Sequence, residues 1–383
     1  MGDNKDGKKN VFLLGLTSFF NDVSSEMIMP ILPFFLASLG ASPVLIGLVG
    51  GLRDSLDRLL KVFFGYLSDK TQERKSFVYG GYVTSAAFKI LLAFSPTALI
   101  ASAFASLERI GKGMRDAPRD AMIDKFMPRK TGTGFGLHQM LDTSGAVLGS
   151  IIVLAMIAYL SVNYGTIILI AGVIGLLSLI PLFLVKNIEI KKKFGQYNFI
   201  SSLSRIPKKL LVFNIIASLF ALANFSYMFF ILRAQVEKGI VTTLALYVVF
   251  NIAYALFAYP LGKRSDSLGK REILIGGYLL FALVSLAFVY FTGIYALVIL
   301  FVFYGISNAA VKAVERAYVA DMSPSEIKAT SLGMFQTMTG IAAIPSGLIA
   351  GYLWEYISPE TTFFFGAGVA FIAAVLLVLH RKR

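Results

Sequence analysis

Apolar residues run through this chain in long unbroken stretches, and polar residues collect in short clusters between them. A helix crosses the hydrocarbon core of a bilayer with about 20 apolar residues. Lipid admits only helices and closed barrels, because backbone groups there must be satisfied without water. The stretches are continuous rather than alternating at every second residue, so they are predicted as helices. Twelve are expected, at 11–37, 43–68, 76–94, 97–118, 133–160, 164–185, 209–233, 240–262, 272–291, 294–315, 329–353 and 361–380. Composition agrees with that reading: 56% of residues are hydrophobic and only 15% charged, with a mean hydropathy of +0.73. A soluble domain has about a quarter charged residues. The opening "MGDNKDGKKN" runs straight into the first stretch without a small-residue cleavage site, so it reads as a cytoplasmic start and not as a cleavable signal.

Charge then sets orientation. The net charge of +14 lies mostly in alternate connections, at Lys8 and Lys9, Arg74 and Lys75, Arg129 and Lys130, Lys191 to Lys193, Lys270 and Arg271, and Arg381 to Arg383. The opposite loops hold none, with Arg233 and Lys238 as the exceptions. Basic residues favour the cytoplasmic side, so both termini are expected there, in a multi-pass protein of the cell membrane. The positive charge faces lipid headgroups on that reading, and nucleic acid is not an expected partner. The segment at about 186–208 is basic and amphipathic. It reads either as a strap on the anionic inner leaflet or as a solvated tether.

The chain repeats itself. "GYLSDKTQERK" (65–75) returns as "GKRSDSLGKR" (262–271), with Gly65, Ser68 and Asp69 matching Gly262, Ser265 and Asp266 at an offset of 197. Arg119 and Asp124 match Arg316 and Asp321 at the same offset, and Gly136 and Gln139 match Gly333 and Gln336. The expected organisation is therefore a six-helix half at 1–185, a linker at 186–208 and a second six-helix half at 209–383, the two halves running parallel.

These residues carry a family resemblance. The repeated stretch resembles the signature loop of the major facilitator superfamily, roughly G-x-L-(small)-D-(basic)-x-G-(basic)-(basic), with Gly65, Leu67, Ser68, Asp69 and Lys70 in the first copy. The first copy lacks the later glycine, and the second keeps it as Gly269 but has Ser267 after Asp266. The resemblance implies an all-α polytopic membrane protein with twelve transmembrane helices in two parallel six-helix halves. It also implies a conformational latch at Gly65, Asp69, Arg74, Gly262, Asp266 and Arg271 that steadies the outward-facing state. An aspartate at a helix end can accept from the amide end of a neighbouring helix and from nearby arginine.

Ionisable residues inside a membrane are costly, about 2.5–3.5 kcal/mol each near the centre, and mark functional positions. Asp22 and Glu26 lie one turn apart on one face of helix 1. Two carboxylates in a dry cavity repel each other and resist ionisation together, which is the property of a proton carrier. Helix 2 holds Arg53, Asp54, Asp57, Arg58 and Lys61. Asp57 and Lys61 read as a self-neutralised stripe, and Arg53 and Asp54, deeper, as cavity residues. Helix 4 holds Glu108, a candidate substrate contact with Arg53 and Asp54, and Arg109, which with Gly113 matches the family pattern in which that arginine is associated with proton transfer. Its carboxylate partner is expected among Asp22, Glu26 and Asp142. His138 and Asp142 lie one turn apart on helix 5, with His138 a packing or snorkelling residue. Gly145 and Gly149 fit part of the glycine-rich motif of the family's efflux branch, without its proline and last glycine pair. In the second half Phe225, Tyr227, Tyr247, Asn251 and Tyr254 form an aromatic wall suited to an apolar or amphipathic substrate.

The expected activity is secondary active transport, proton-coupled export of small hydrophobic or amphipathic compounds by alternating access. The alternatives are a proton- or sodium-coupled symporter of a polar metabolite, or a flippase of lipid-like molecules. Cysteine is absent and histidine occurs twice. No H-E-x-x-H and no G-x-x-x-x-G-K-[ST] occurs, so an enzyme and ATP drive are not expected. No cofactor or metal is expected, the proton gradient being the energy source. The expected partners are a small-molecule substrate and the lipid bilayer, with the monomer as the working unit.

Overall fold

Proline and glycine decide where the long apolar stretches break. In a computed structural model, residues 2–71, 73–127, 131–187, 206–324 and 328–380 are described, without the side chains of 2–5, 69, 131–133, 266, 313, 328 and 329. Span one comprises α1 (Gly2–Ile28) and α2 (Leu32–Ser38), interrupted beside Pro30 and Pro33. Spans two to five are α3 (Pro43–Thr71), α4 (Arg74–Ala93), α5 (Ala98–Phe126) and α6 (Thr131–Leu160). Span six is α7 (Tyr164–Leu177) and α8 (Leu179–Leu184), stepping at Ser178 three residues before Pro181.

The seventh and eighth spans differ from the expected boundaries. Span seven begins as α9 (Lys208–Ala223), breaks at 224–226 and resumes in α10 (Tyr227–Leu268). Within α10 the chain turns at Gly239, whose φ of 75° and ψ of 171° are not helical. A glycine tolerates that positive φ, so no loop of any length is needed before span eight. Spans nine to twelve are α11 (Lys270–Tyr290), α12 (Ile294–Met322), α13 (Lys328–Tyr356) and α14 (Pro359–Leu379).

Eight helical segments among the described residues are long and apolar enough to cross a bilayer, and one, Lys208–Ser265, contains spans seven and eight. Spans one, two and four are not among the eight. They are the three that carry Asp22 and Glu26, Arg53 to Lys61, and Glu108 to Asp116. Their charged residues lower the hydropathy of these three spans.

By contact the chain sorts into two units, 1–41 with 56–194, and 42–55 with 195–383. In the first, span one packs on spans five and six, and span three on spans four and six. In the second, span seven packs on eleven and twelve, and span nine on ten and twelve. The pairings are the same six positions on, so the duplication reaches packing. Residues 42–55 lie on span eleven within the second unit: a Cβ on Gly47 would sit 2.1 Å from the Gly347 carbonyl, and one on Gly347 2.0 Å from the Gly47 carbonyl. Small residues let backbones approach this closely.

The serines of the repeated loops behave alike. Ser68 Oγ donates to the Gly65 carbonyl at 2.9 Å and Ser265 Oγ to the Gly262 carbonyl at 2.7 Å. The basic pairs reach the same elements in each copy. Arg74 donates to the Ala121 carbonyl on span four at 3.2 Å, and Lys270 bonds Asp321 on span ten at 2.6 Å. Lys75 donates to the Val185 carbonyl past the end of span six at 2.5 Å, and Arg271 to the Leu377 carbonyl at the end of span twelve at 3.0 Å. A cation on the open carbonyls of a helix C-terminus satisfies groups that have no partner in the helix. The charge of each loop thus ties down two helices of its own half. The Asp69 and Asp266 side chains, and most of the connecting segment (188–205), lie outside the described residues.

Arg233, an exception to the charge pattern, is explained by Glu360, which it meets at 2.9 Å.

Candidate functional site

Glycine brings the two acids of the site together. Gly145 and Gly149, one turn apart on span five, face the backbone of span one. A Cβ at either would lie 2.4 Å from the carbonyl of Phe19 or Val23. That approach sets Asp142, one turn earlier on α6, against Ser18 and Asp22. Ser18 Oγ donates to Asp142 Oδ1 at 2.5 Å, and the Asp22 and Asp142 carboxyls lie within hydrogen-bonding reach of each other. Two carboxyls at that range can share one proton, which lets each accept or donate towards the other. Gln139 Nε2 also reaches Asp142 Oδ2 at 3.4 Å. We expect Gly145→Val to force α6 off α1 and to cost about 1–3 kcal/mol as overpacking, measured by reversible unfolding in mixed detergent. An unchanged stability would mean that the helices do not need this approach.

The partner of Asp22 is therefore Asp142, from another helix, in addition to its helical neighbour Glu26. Their separation of 120 residues hides this from sequence periodicity. His138 is buried one turn before Asp142, and its Nε2 makes no hydrogen bond among the described residues.

Arg109 takes Glu108, its own neighbour in sequence, as an ion-pair partner at 3.1 Å, and donates to Met29 Sδ at 3.1 Å. Glu108 also accepts from Ser85 Oγ at 3.0 Å. Ser85 receives Arg115 Nη1 at 2.9 Å, and the Arg115 guanidinium lies 4.5 Å from the centre of the Tyr82 ring.

The expected self-neutralised stripe on span two is replaced by a ladder to span four. Asp57 meets Lys112 at 3.6 Å, and Lys61 meets Asp116 at 2.9 Å. Asp116 also takes Arg119 at 3.3 Å. The two helices run in the same direction, so residues one turn apart on each make two rungs. Gly113 permits this: a Cβ there would lie 2.6 Å from Leu60 Cβ. The cross-helix partners were legible only as matching i, i+4 charges on 57–61 and 112–116.

Arg53 is buried and Asp54 exposed, both in the part of α3 that belongs to the second unit. The aromatic residues of that unit divide into two groups. Phe225 is 1% exposed and stacks on Phe230 at 5.2 Å, with Phe229, Phe281 and Phe363 around it. It is a core residue with no face left for a ligand, contrary to the expectation of a substrate contact. Tyr227, Asn251 and Tyr254 are half-buried. Tyr247 links Tyr227 at 6.0 Å to Phe250 at 5.7 Å, and Phe250 continues to Tyr254 at 6.5 Å. Lys312 lies 5.7 Å from the Tyr254 ring centre.

Lys89 is the residue that sequence reading missed. It lies on α4 deep in "SAAFKILLAF" and is 2% exposed. Its signal is a lone cation within a candidate membrane span. Among the described residues no group of acids and histidines could hold a metal ion.

Twelve spans in duplicated halves, with the Asp22 and Asp142 pair, Lys89 and the charge ladder all in the first half, define a polytopic helical transporter. The Major Facilitator Superfamily model matches residues 14–248 and 211–383, and the chain belongs to that family. It is 47% identical over 383 residues to an uncharacterized MFS-type transporter of Methanocaldococcus jannaschii, covering 98% of this chain and 96% of that protein. A segment is similar to multidrug resistance protein MdtH of Shigella dysenteriae serotype 1, at 31% identity over 119 residues, 31% of this chain and 29% of that one. Among solved structures, nucleoside transporter NupG superposes with a TM-score of 0.85 at 16% identity, over 97% of this chain and 100% of that chain. At that identity the likeness is one of fold.

Proposed function

We propose that this protein is a proton-coupled antiporter that exports small hydrophobic or amphipathic compounds by alternating access. The observation that carries the reading is the Asp22–Asp142 acid pair, which spans one and five bring together inside the membrane. A proton-coupled cycle needs a group that gains and loses a proton inside the membrane, and two carboxyls able to share one would supply it. The half-buried rings of Tyr227 and Tyr254 are the proposed substrate wall, with Asn251 as its amide and the buried Tyr247 packed behind them, and the partial likeness to MdtH supports export. Halves 1–185 and 209–383 are the proposed moving bodies, joined by 186–208, in a monomer of the cell membrane with both termini cytoplasmic. The placement of Lys and Arg supports that orientation.

The test uses the full chain in liposomes with ethidium, a planar amphipathic cation, as probe. An imposed pH gradient, acidic inside, should drive ethidium accumulation in the lumen. Nigericin with potassium should abolish it, and a sodium gradient should not replace it. Accumulation that follows sodium and ignores the pH gradient would overturn proton coupling.

A further inference from the structure

We propose that Lys89 is the counter-cation of the Asp22–Asp142 pair and, through Asn21, sets the pH at which that pair exchanges its proton. The inference rests on the reading of the pair as the proton carrier. Lys89 Nζ donates to Ser24 Oγ and Ser25 Oγ, both at 2.9 Å, and to Asn21 Oδ1 at 3.5 Å. All three acceptors are neutral. A buried ammonium is expensive unless an opposite charge compensates it, so its counter-charge lies beyond this ring of oxygens.

Asn21 points to that charge. Its Nδ2 donates to Asp22 Oδ1 at 3.2 Å while its Oδ1 takes the lysine. Lysine only donates and a carboxylate only accepts, so the two ions between them fix which way the amide faces. The other charges facing Lys89 come from span four: Glu108, Arg109 and Arg115. One carboxylate against two guanidiniums leaves no surplus negative charge there. The surplus lies on spans one and five, in Asp22 and Asp142. Around the pair, Glu26 and Lys112 face Asp22, and His138 and Arg119 face Asp142. Lys112 is engaged by Asp57, and Arg119 by Asp116 and Asp120.

The internal duplication gives independent support. "GGY" at 80–82 recurs at 276–278, an offset of 196, which sets Ser285 opposite Lys89. Ser285 is fully buried, as Lys89 nearly is. The fold therefore accepts a small neutral residue at this position, and packing does not demand lysine. Asp142 corresponds to Thr339 at the offset of 197, and span seven has no charged residue from 210 to 232. The acids and the cation are present together in one half and absent together from the other.

Infrared difference titration of the full chain in lipid reads the protonated-carboxyl stretch directly, without a substrate. Wild-type protein should show a titrating band that Asp22→Asn or Asp142→Asn removes. Lys89→Met should move its midpoint to higher pH by about one unit, the scale of losing one nearby cation. Lys89→Arg should restore the wild-type midpoint. Asn21→Leu keeps every charge but removes the bridge, and should also shift the band upward. Midpoints unchanged in both Lys89→Met and Asn21→Leu would overturn the role of Lys89. A wild-type band that survives both aspartate substitutions would overturn the pair as the carrier, and this inference with it.

Discussion

Replacing Asp142 with asparagine should abolish pH-driven accumulation of ethidium while leaving its downhill counterflow in place. An amide cannot carry a proton, so the variant loses the exchange but keeps the aromatic face of the second unit. Removing an essential proton-transfer group commonly costs at least about a hundredfold, and a loss of that size in gradient-driven uptake is expected. Asp22→Asn should behave likewise, because either substitution leaves one acid where two lay within hydrogen-bonding reach. The double variant should lose no more than either single one, as befits groups that act as a unit. Loss of counterflow in proportion to uptake would instead assign the acids to substrate binding.

A second large effect is expected in the ladder between spans two and four. Asp116→Leu strips the partner from Lys61 at 2.9 Å and from Arg119 at 3.3 Å in a site where the carboxylate is nearly fully buried. Breaking a buried ion pair by removing one member costs about 3–5 kcal/mol, because the other charge stays buried alone. Asp116→Leu should therefore unfold far more readily in mixed detergent than wild-type protein. Adding Lys61→Met should recover part of the loss, since replacing both members with apolar groups costs less than orphaning one. If the double substitution adds to the damage, the ladder is not the reason for the aspartate.

Much of the architecture was legible in the sequence. Long apolar runs gave the helices, and the offset of 197 gave the duplication. What eluded it depended on backbone approach. No periodicity tells that Gly145 and Gly149 rest on the carbonyls of Phe19 and Val23, yet that contact makes Asp142 the neighbour of Asp22. Asp57 and Lys61 suited each other at i, i+4 as well as they suit Lys112 and Asp116, and only the gap at Gly113 decides for the second arrangement. Phe225 read as a wall residue because aromatics cluster around it, and the same clustering closes it into the core. Gly239 ended span seven without a loop, because a single positive φ turns the chain. Lys89 was visible all along as a charge inside an apolar span. Its meaning depends on Asn21, Ser24 and Ser25, which lie more than sixty residues away.

The coupling itself is tested most directly by reversing it. Exchange is reciprocal, so an ethidium gradient must move protons as surely as a proton gradient moves ethidium. Liposomes carrying the full chain are loaded with ethidium and diluted into dye-free buffer, with no pH gradient and the membrane potential clamped. Luminal pH is then followed with a trapped fluorophore. Efflux of dye should acidify the lumen as protons enter in exchange, and Asp22→Asn with Asp142→Asn should abolish that change. A lumen that turns alkaline as dye leaves, or keeps its pH while dye leaves at the wild-type rate, would contradict proton antiport.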